Sequence, residues 1–355
     1  MNNPKTKYYL RPTGFLGNSH GRQLEKKGEA VSIQKTFFSH VEVISKNQII
    51  KKKIHNIPDF YKLLDEKKVL RDIFNQLKKK NSIIEKNIFN NNKFSIFGIL
   101  NITPDSFSDG GKNLNIDKAI KHSHHMKKNG ASFIDIGGES TRPGADKVDA
   151  GTELSRIMPV IQKLNYRKFK ISLDTRNSST MKFGILSGVK VINDVSALSN
   201  DKKSIEVIKK YNSPVIIMHM PGTPKTMMKK NKYENVLLDV YDFLNQRTKK
   251  LIKSGVKREN IIIDPGIGFG KNLEQNMILI KNISIFHSLG FPIMLGLSRK
   301  RFIDSISKES NPENRLGGTI SASLLAIMQG VRIHRVHDVK DLNQSIKVFD
   351  KLVNL

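Results

Sequence analysis

The amino-acid sequence predicts an α/β protein: a (β/α)8, or TIM, barrel with an N-terminal α+β extension. Residues 94–355 form a stretch of 262 residues, close to the roughly 250 typical of such a barrel. Along this stretch, eight short apolar runs alternate with helical segments, as parallel βαβ units require. Almost every run ends in a polar or charged residue, and in a barrel all eight carboxyl ends meet on one face.

The eight runs are rich in β-branched and aliphatic residues, as expected of strands buried on both faces. They read "FSIFGILN", "SFIDIGG", "FKISLDT", "VKVINDV", "PVIIMHM", "NIIIDPG", "FPIMLGLS" and "VRIHRVHD". Their polar ends are Asn101, Asp135, Asp174, Asn193, His219, Asp264, Ser298 and His337. We therefore expect the functional site on the face that these ends share.

Residues 1–93 form a distinct extension, separated from the barrel of residues 94–355 by the asparagine-rich stretch "IFNNNKF" at 88–94. The segment "VEVISKNQIIKKKI" favours strands, and apolar residues at helical spacing from Phe60 to Leu77 predict an amphipathic helix. No catalytic constellation occurs in the extension. We therefore expect it to be dispensable for the chemistry.

Composition restricts the class of protein. The absence of cysteine excludes disulfides and thiolate metal sites. Without an 18-residue apolar run or the apolar core of a signal peptide, the chain is expected to be cytoplasmic, with no membrane partner. The net charge of +29 and pI of 10.0 permit nucleic-acid binding. However, lysine is abundant along the whole chain without an aromatic-interleaved patch, so we expect no nucleic-acid partner.

The loop after the first strand, "NITPDSFSDGG", supplies oxygen donors from Asn101, Thr103, Asp105 and Asp109. Such donors suit a hard cation such as Mg²⁺. The same residue types also form turns, so both interpretations stay open.

The loops after the second and third strands carry further candidates. In "GGESTRPGA", Thr141 and Arg142 can hold a phosphate or carboxylate, and Pro143 helps to set the loop's shape. In "SLDTRNSST", Asp174 ends a strand ahead of Thr175, Asn177 and Ser178, which can cap the next helix. That cap leaves Asp174 available for function.

Two later strands end in candidates for recognising a ligand. Asn193 can donate and accept at once, which suits the edge of a heterocycle. The stretch "IIIDPGIGFGKN", residues 261–272, looks like a phosphate-binding loop, but Pro265 and Asn272 stand where a P-loop needs glycine and Ser or Thr. Asp264, at the end of the strand, is therefore the candidate.

The last two strands end in cations. Lys300 in "GLSRKRF" is a Schiff-base lysine with a pKa depressed by Arg299 and Arg301, a hydrogen-bond donor, or a solvated cation. Arg335 and His337 alternate on strand eight and share a side. The ends of strands seven and eight often bind phosphate in barrels.

Histidines elsewhere are not expected to bind metal. His122, His124 and His125 lie in the first barrel helix and are expected at the surface. A single strand-end histidine, His219, is expected to be structural.

Taken together, these motifs resemble the dihydropteroate synthase family. The similar segments are "NITPDSFSDGG", "GGESTRPGA", "DT", "IND", "MHMPGTPKTM", "DPGIGFGKN", "GLSRK" and "RVHDV". The resemblance runs from about Phe97 onward. It departs at "DTRN", where the family more often has a small residue or tyrosine and then lysine, so it assigns no role to Arg176.

The resemblance implies condensation of 6-hydroxymethyl-7,8-dihydropterin diphosphate with 4-aminobenzoate, and it implies Mg²⁺ as cofactor and a homodimer. The implied catalytic residues are Asp174, Lys300, Arg335 and His337. The implied pterin pocket is Asp174, Asn193, Asp264 and Lys300, with Phe269 in the loop after Asp264. The implied diphosphate and metal site is Asn101, Thr141, Arg335 and His337, with Arg142 also binding substrate. The implied neighbours of 4-aminobenzoate are Phe107, Pro143 and Ser298. Lys300 is then a donor to the pterin.

Three alternatives remain at this point. A methyltetrahydrofolate:corrinoid methyltransferase shares the barrel and a pterin-reading Asp and Asn, but it does not need the "STRPG" loop or the anion site at Arg335 and His337. A Schiff-base aldolase would be trapped on Lys300 by borohydride. A basic RNA-binding protein would bind with steep salt dependence.

Overall fold

The computed structural model describes residues 6–33, 35–79, 81–90, 92–102 and 112–354. The N-terminal region contains a four-stranded antiparallel sheet in which β3 pairs with β1, β2 and β4. Its elements are β1 (Lys7–Leu16), α1 (Asn18–Lys26), β2 (Val31–Ile33), β3 (Thr36–Lys46), β4 (Ile50–Asn56), α2 (Ile57–Glu66) and α3 (Lys68–Leu77). The predicted α+β extension is confirmed.

The predicted helix from Phe60 to Leu77 is two helices, so that prediction is wrong in detail. Lys67 is extended, with φ −125° and ψ 92°, and it separates α2 from α3. Arg71 donates to Leu64 O at 2.9 Å and so supplies a hydrogen bond to a carbonyl at the end of α2 that has no donor within the helix. The apolar faces of both helices pack on the sheet and give the extension a small core of its own.

The second region is a closed parallel barrel. Its strands are β5 (Ser95–Asn101), β6 (Phe133–Gly137), β7 (Ile171–Asp174), β8 (Val191–Asp194), β9 (Val215–Met218), β10 (Ile261–Asp264), β11 (Met294–Leu295) and β12 (Ile333–Val336). The sheet order is β10-β9-β8-β7-β6-β5-β12-β11, and a parallel bridge from Ile263 to Ile293 closes the ring. All eight predicted strands and the predicted fold class are confirmed.

One short helix, α4 (Ser82–Ile84), precedes the first barrel strand, and the other helices follow the strands around the outside of the barrel. They are α5 (Lys112–Lys128), α6 (Ala150–Tyr166), α7 (Ser178–Leu186), α8 (Ser204–Tyr211), α9 (Val236–Lys253), α10 (Leu273–Lys281), α11 (Arg301–Ser307), α12 (Leu316–Met328) and α13 (Val339–Val353). Within the described part of the chain, no helix is long and apolar enough to cross a membrane.

The amino-terminal end of the barrel is closed by residues that precede its first strand. Ile84, Ile88 and Phe89, in α4 and the π-helical turn that follows it, pack against the first apolar residues of the strands. The guanidinium of Arg332 lies 3.7 Å from the centroid of the Phe89 ring and forms an ion pair with Glu85. We call residues 84–89, which close this end of the barrel, the plug. The proposed boundary at residue 93 therefore lies between the plug and β5.

The extension also docks on the outside of the barrel. Tyr9 packs edge-on against Tyr241 of α9, with ring centroids 5.1 Å apart, and its hydroxyl donates to Asp242 at 3.2 Å. Ser284 donates to Pro12 O at 2.8 Å. The extension thus has an aromatic and hydrogen-bonded interface with the barrel.

We expect Phe89→Ala to lower the free energy of unfolding by about 3–5 kcal/mol, because it opens a cavity among strand-initial residues. Urea unfolding followed by circular dichroism measures this. Phe183→Ala on α7 is the control, since Phe183 is 47% exposed and its loss should cost under about 1 kcal/mol. If the two variants lost equal free energies of unfolding, the plug would not stabilise the barrel as proposed.

Candidate active site

The polar strand ends described here gather at the carboxyl face of the barrel, as predicted. Asp174 at the end of β7 pairs in register with Gly137 of β6 and Asn193 of β8. At the end of β10, Asp264 O accepts from the His219 amide at 2.9 Å. Asp174, Asn193 and Asp264 are 7%, 3% and 5% exposed. Buried polar groups need hydrogen-bond partners, so the partners of these three side chains determine what the site can do chemically.

Arg335 stands at the centre of a buried charge cluster. Its Nε donates to Asp135 Oδ2 at 2.6 Å and its Nη2 to Asp174 Oδ2 at 2.9 Å. Asn193 Nδ2 also donates to Asp135 Oδ2, at 3.2 Å. The sequence interpretation kept Arg335, in a diphosphate site, apart from Asp174, in a pterin pocket. The structure joins these two groups of residues through one guanidinium.

Asp135 was predicted as one of the polar strand ends but was assigned no role. It is fully buried on β6, and its Oδ1 has no hydrogen-bond partner in the described part of the chain. Its position among the polar strand ends indicated a place in the site, but no sequence motif assigned it a function. Asp135 orients both Arg335 and Asn193.

The ionisation of Asp174 depends on its neighbours. Burial raises the pKa of its carboxyl to about 7; the guanidinium of Arg335 opposes this rise, and the nearby carboxylate of Asp135 adds to it. Arg335 is therefore the group that favours the ionised form of Asp174.

The loop after β10 presents Asp264 and turns tightly beneath it. Gly266 N donates to Asp264 Oδ1 at 2.7 Å. Gly266 has φ +69°, and a Cβ there would lie 2.0 Å from His219 O, so glycine is required at this position. One carboxylate oxygen is thus oriented by the backbone.

Lys271, which follows the last glycine of this loop, is turned inward. It is 4% exposed, and its Nζ contacts Gly266 O at 2.8 Å, Phe269 O at 2.9 Å and His219 Nδ1 at 3.0 Å. His219 is itself buried, in keeping with the structural role expected for it. Lys271 therefore holds the loop rather than a ligand, which the sequence argument did not foresee.

Lys300 lies next to the same loop. Its Nζ donates to Ile267 O and lies 4.6 Å from the centroid of the Phe269 ring. Burial lowers the pKa of Lys300 to about 8, against the attraction of Asp264 and together with the repulsion of Arg335. Burial also raises the pKa of Asp264, which Lys300 opposes.

We expect stability to rise with pH between about 8 and 10.5 because of Lys300. Its folded-state pKa of about 8 lies below its ordinary value of 10.5, so in this window the unfolded chain binds the proton that the folded chain has released. The wild type should gain roughly 1–3 kcal/mol across the window relative to Lys300→Met. Urea unfolding at several pH values tests this, with Lys308→Met as an exposed control. Parallel pH curves for the wild type and Lys300→Met would contradict it.

The ends of the last two strands meet through Ser298 and His337. Ser298 Oγ lies 3.0 Å from His337 Nδ1, and the His337 amide donates to the same oxygen at 3.2 Å. Burial lowers the pKa of His337 to about 3, with further lowering from Arg335 and Arg299. His337 is therefore neutral near pH 7, so it can offer an anion a hydrogen bond but not a charge.

The loop after β6 carries the remaining described candidates. Thr141 and Pro143 are partly buried and Arg142 is exposed. Gly144 N donates to Pro224 O at 3.1 Å, and Lys225 forms an exposed ion pair with Asp146 at 2.9 Å. The loop thus contacts the segment that follows β9.

The expected cap of the helix after β7 is wrong. The amide of Ser178 donates to Asp201 Oδ2 at 3.0 Å. Thr175 and Asn177 instead donate to Glu153, a fully buried carboxylate of α6, at 3.0 and 2.9 Å. A buried carboxylate requires donors, and it takes the side chains that sequence reasoning assigned to the cap.

The expected metal site is only partly within the described residues. Asn101 is half-buried at the end of β5, whereas Thr103, Asp105, Phe107 and Asp109 lie outside the described residues. Where the chain is described, no three His, Cys, Asp or Glu side chains group to hold a metal ion. The three histidines of α5 are exposed, as expected.

Comparison with known proteins identifies the family of this chain. Residues 97–337 match the model of the family described as "Pterin binding enzyme". The chain belongs to this family of pterin-binding enzymes.

More specifically, the chain is similar to dihydropteroate synthases. The one from Haemophilus influenzae is 41% identical over 260 residues, covering 73% of this chain and 94% of that protein. A structure of the Xanthomonas albilineans enzyme with 4-aminobenzoic acid has a TM-score of 0.70 and 36% identity, covering 74% of this chain and 93% of the other. The Yersinia pestis enzyme with a sulfonamide drug complex has a TM-score of 0.69 and 37% identity, covering 73% and 94%.

Proposed function

We infer that this chain is a dihydropteroate synthase, a transferase of folate biosynthesis. It joins 6-hydroxymethyl-7,8-dihydropterin diphosphate to 4-aminobenzoate and releases diphosphate and 7,8-dihydropteroate. The observation that carries this inference is the buried cluster of Arg335, Asp135 and Asp174 beside Asn193 at the carboxyl face of the barrel. The similarity to synthases over nearly their full length supports the same reaction.

The pterin ring binds to Asp264, Asn193 and Lys300. The Asp264 carboxylate suits the guanidine-like edge of the pterin, because two parallel charge-assisted hydrogen bonds can form there. Lys300 donates to the ring, exchanging its bond to Ile267 O for one to the ligand. Phe269 and the neighbouring Met218 and Met220 form an apolar cluster that suits a flat ring.

The chemical step exchanges a C–O bond for a C–N bond at the pterin methylene. The arylamine nitrogen attacks, the diphosphate departs with the C–O electron pair, and the amine loses a proton. Positive charge develops on the methylene as the C–O bond lengthens, and the ionised Asp174 stabilises it. Arg335 and His337 stabilise the leaving diphosphate by charge and by hydrogen bonding respectively. Thr141 and Arg142 add donors to the diphosphate, and Pro143 and Ser298 are the proposed neighbours of 4-aminobenzoate. The sequence resemblance assigns Phe107, outside the described residues, to the same substrate.

Mg²⁺ fits the residues at the end of β5. This ion usually keeps several waters and takes only one or two protein ligands together with substrate phosphates. Asn101 supplies a neutral oxygen close to Asp174, since both side chains lie within 4 Å of a Cβ built at Gly137. Bound there, the ion would neutralise charge on the departing diphosphate. We expect excess chelator to abolish turnover and added Mg²⁺ to restore it; full turnover in chelator would contradict this.

If the proposed reaction takes place, sulfonamides should compete with 4-aminobenzoate. The cytoplasmic location expected from the sequence stays a prediction. A homodimer through α12 and α13 is supported by large apolar side chains that are 44–66% exposed there, namely Leu325, Met328, Val348 and Leu352. Light scattering of the purified protein tests the dimer.

The decisive experiment is an assay of diphosphate release with and without 4-aminobenzoate. Release that depends on 4-aminobenzoate and forms 7,8-dihydropteroate supports the inference. Methyl transfer from methyltetrahydrofolate, without diphosphate release, would instead support the methyltransferase alternative.

A further inference from the structure

A buried ion pair connects the loop after β6 to the segment after β7. Arg176 and Glu139 are 4% and 6% exposed. Arg176 donates from Nε to Glu139 Oε2 at 2.9 Å and from Nη2 to Oε1 at 2.7 Å. This two-pronged geometry fixes both side chains, because a planar guanidinium matches a carboxylate in one orientation.

Glu139 also joins the two ends of its own loop. Its Oε1 accepts from the Val148 amide at 2.9 Å, so residues 139 and 148 are held together at the loop's base. Thr141, Arg142 and Pro143 lie between these two points. A displacement of Glu139 therefore moves this loop, in which Thr141 and Arg142 are assigned to the diphosphate and Pro143 to 4-aminobenzoate.

The other end of the ion pair is attached to the catalytic segment. Arg176 follows Asp174 by two residues, and Asp174 is held by Arg335. The neighbours of Arg176, Thr175 and Asn177, are anchored on the buried Glu153 of α6. Arg176 thus projects from a backbone segment that is fixed relative to the reacting methylene.

We propose that Arg176 is a positioning residue: through Glu139 it holds the loop of Thr141–Pro143 at the distance from Asp174 that lets 4-aminobenzoate meet the pterin. This proposal rests on the proposed dihydropteroate synthase reaction. It gives a role to the residue at which the sequence departs from the family pattern.

The test must separate positioning from stability, since removing one partner of a buried ion pair leaves an unpaired charge and destabilises the fold. We therefore compare Arg176→Met, Glu139→Gln and the double variant. The amide oxygen that Glu139→Gln introduces can still accept from the Val148 amide, and the double variant contains neither charge of the pair. Its melting temperature should recover most of what the single variants lose.

The kinetic result expected is different. KM for 4-aminobenzoate should be raised about tenfold in all three variants, including the double variant, because the loop is no longer fixed. The affinity for a bare pterin, measured by calorimetry, should stay within about twofold of the wild type, since the pterin contacts lie elsewhere. Arg176→Lys, which keeps the charge, should restore part of the wild-type KM. Lys163→Met, which breaks the exposed pair with Asp117, is the control and should change neither constant.

Two results would overturn the proposal. One is that both KM and the melting temperature return to their wild-type values in the double variant. The ion pair of Arg176 and Glu139 would then have only a structural role. The other is an equal loss of bare-pterin affinity, which would place the effect outside the loop. Failure of the proposed reaction is seen separately, because the wild type itself would then release no diphosphate with 4-aminobenzoate, and the positioning role would fall with it.

Discussion

Replacing Arg335 with methionine is expected to lower kcat by about 10²–10³-fold, the loss typical when one preorganised charge-stabilising donor is removed. Two effects combine. The departing diphosphate loses its cation, and Asp174 loses the partner that opposes the rise of its pKa. A less ionised Asp174 stabilises the developing positive charge poorly, so the activity loss should deepen as pH falls. Steady-state kinetics between about pH 6 and 8, a window chosen around neutrality, measure both effects.

The same substitution should also lower the free energy of unfolding, by about 3–5 kcal/mol, because it leaves two buried carboxylates unpaired. It should weaken bare-pterin binding as well, since Asp174 belongs to the pterin pocket and Arg335 orients it. The sequence resemblance placed Arg335 in the diphosphate site alone, and the bond from Arg335 to Asp174 is the reason to expect an effect on the bare pterin as well.

Arg11→Met is the matched control for Arg335. Arg11 forms a half-buried ion pair with Glu42 in the extension, at 2.7 Å and with side chains 17% and 11% exposed. Its loss should cost stability but leave kcat unchanged. If Arg335→Met kept kcat within about threefold of the wild type, less than about 1 kcal/mol in the barrier, the cluster would have no part in the chemistry.

Asp264→Asn is expected to weaken pterin binding by roughly 1.5–3 kcal/mol, or about ten- to 150-fold, because it removes a charged acceptor while keeping the side chain's shape. The loss should be equal for the pterin diphosphate and for a bare pterin. Calorimetry with both ligands measures this. The backbone bond from Gly266 to Oδ1 can persist to the amide oxygen, so the loop itself should stay in place.

Asp242→Asn on α9 is a control with the same change of side chain. Asp242 contacts the extension and not the carboxyl face, so pterin affinity should be unaffected. A different outcome for Asp264→Asn, weaker diphosphate binding with bare-pterin binding intact, would mean that the loop after β10 is a phosphate site.

Local pattern predicted much of the molecule because it reports local causes. Continuous apolar runs predicted all eight barrel strands, since a strand buried on both faces has few alternatives. The polar ends of those runs predicted the face that carries the site, because parallel strands in a barrel end together. One prediction failed for a local reason as well. The break at Lys67 lies within an uninterrupted helical spacing of apolar residues, so the pattern did not distinguish one helix from two.

By itself, the sequence determined the barrel, its extension, and the identity of the family through motifs at the strand ends. The tertiary structure alone decided which polar groups pair. Arg335 binds Asp135 and Asp174, which lie 200 and 161 residues away in the chain. Lys271 turns inward to His219, and Arg176 pairs with Glu139. The physical reason is that the stability of a buried charge depends on the groups within hydrogen-bonding distance, and these come from strands and loops that are distant in sequence.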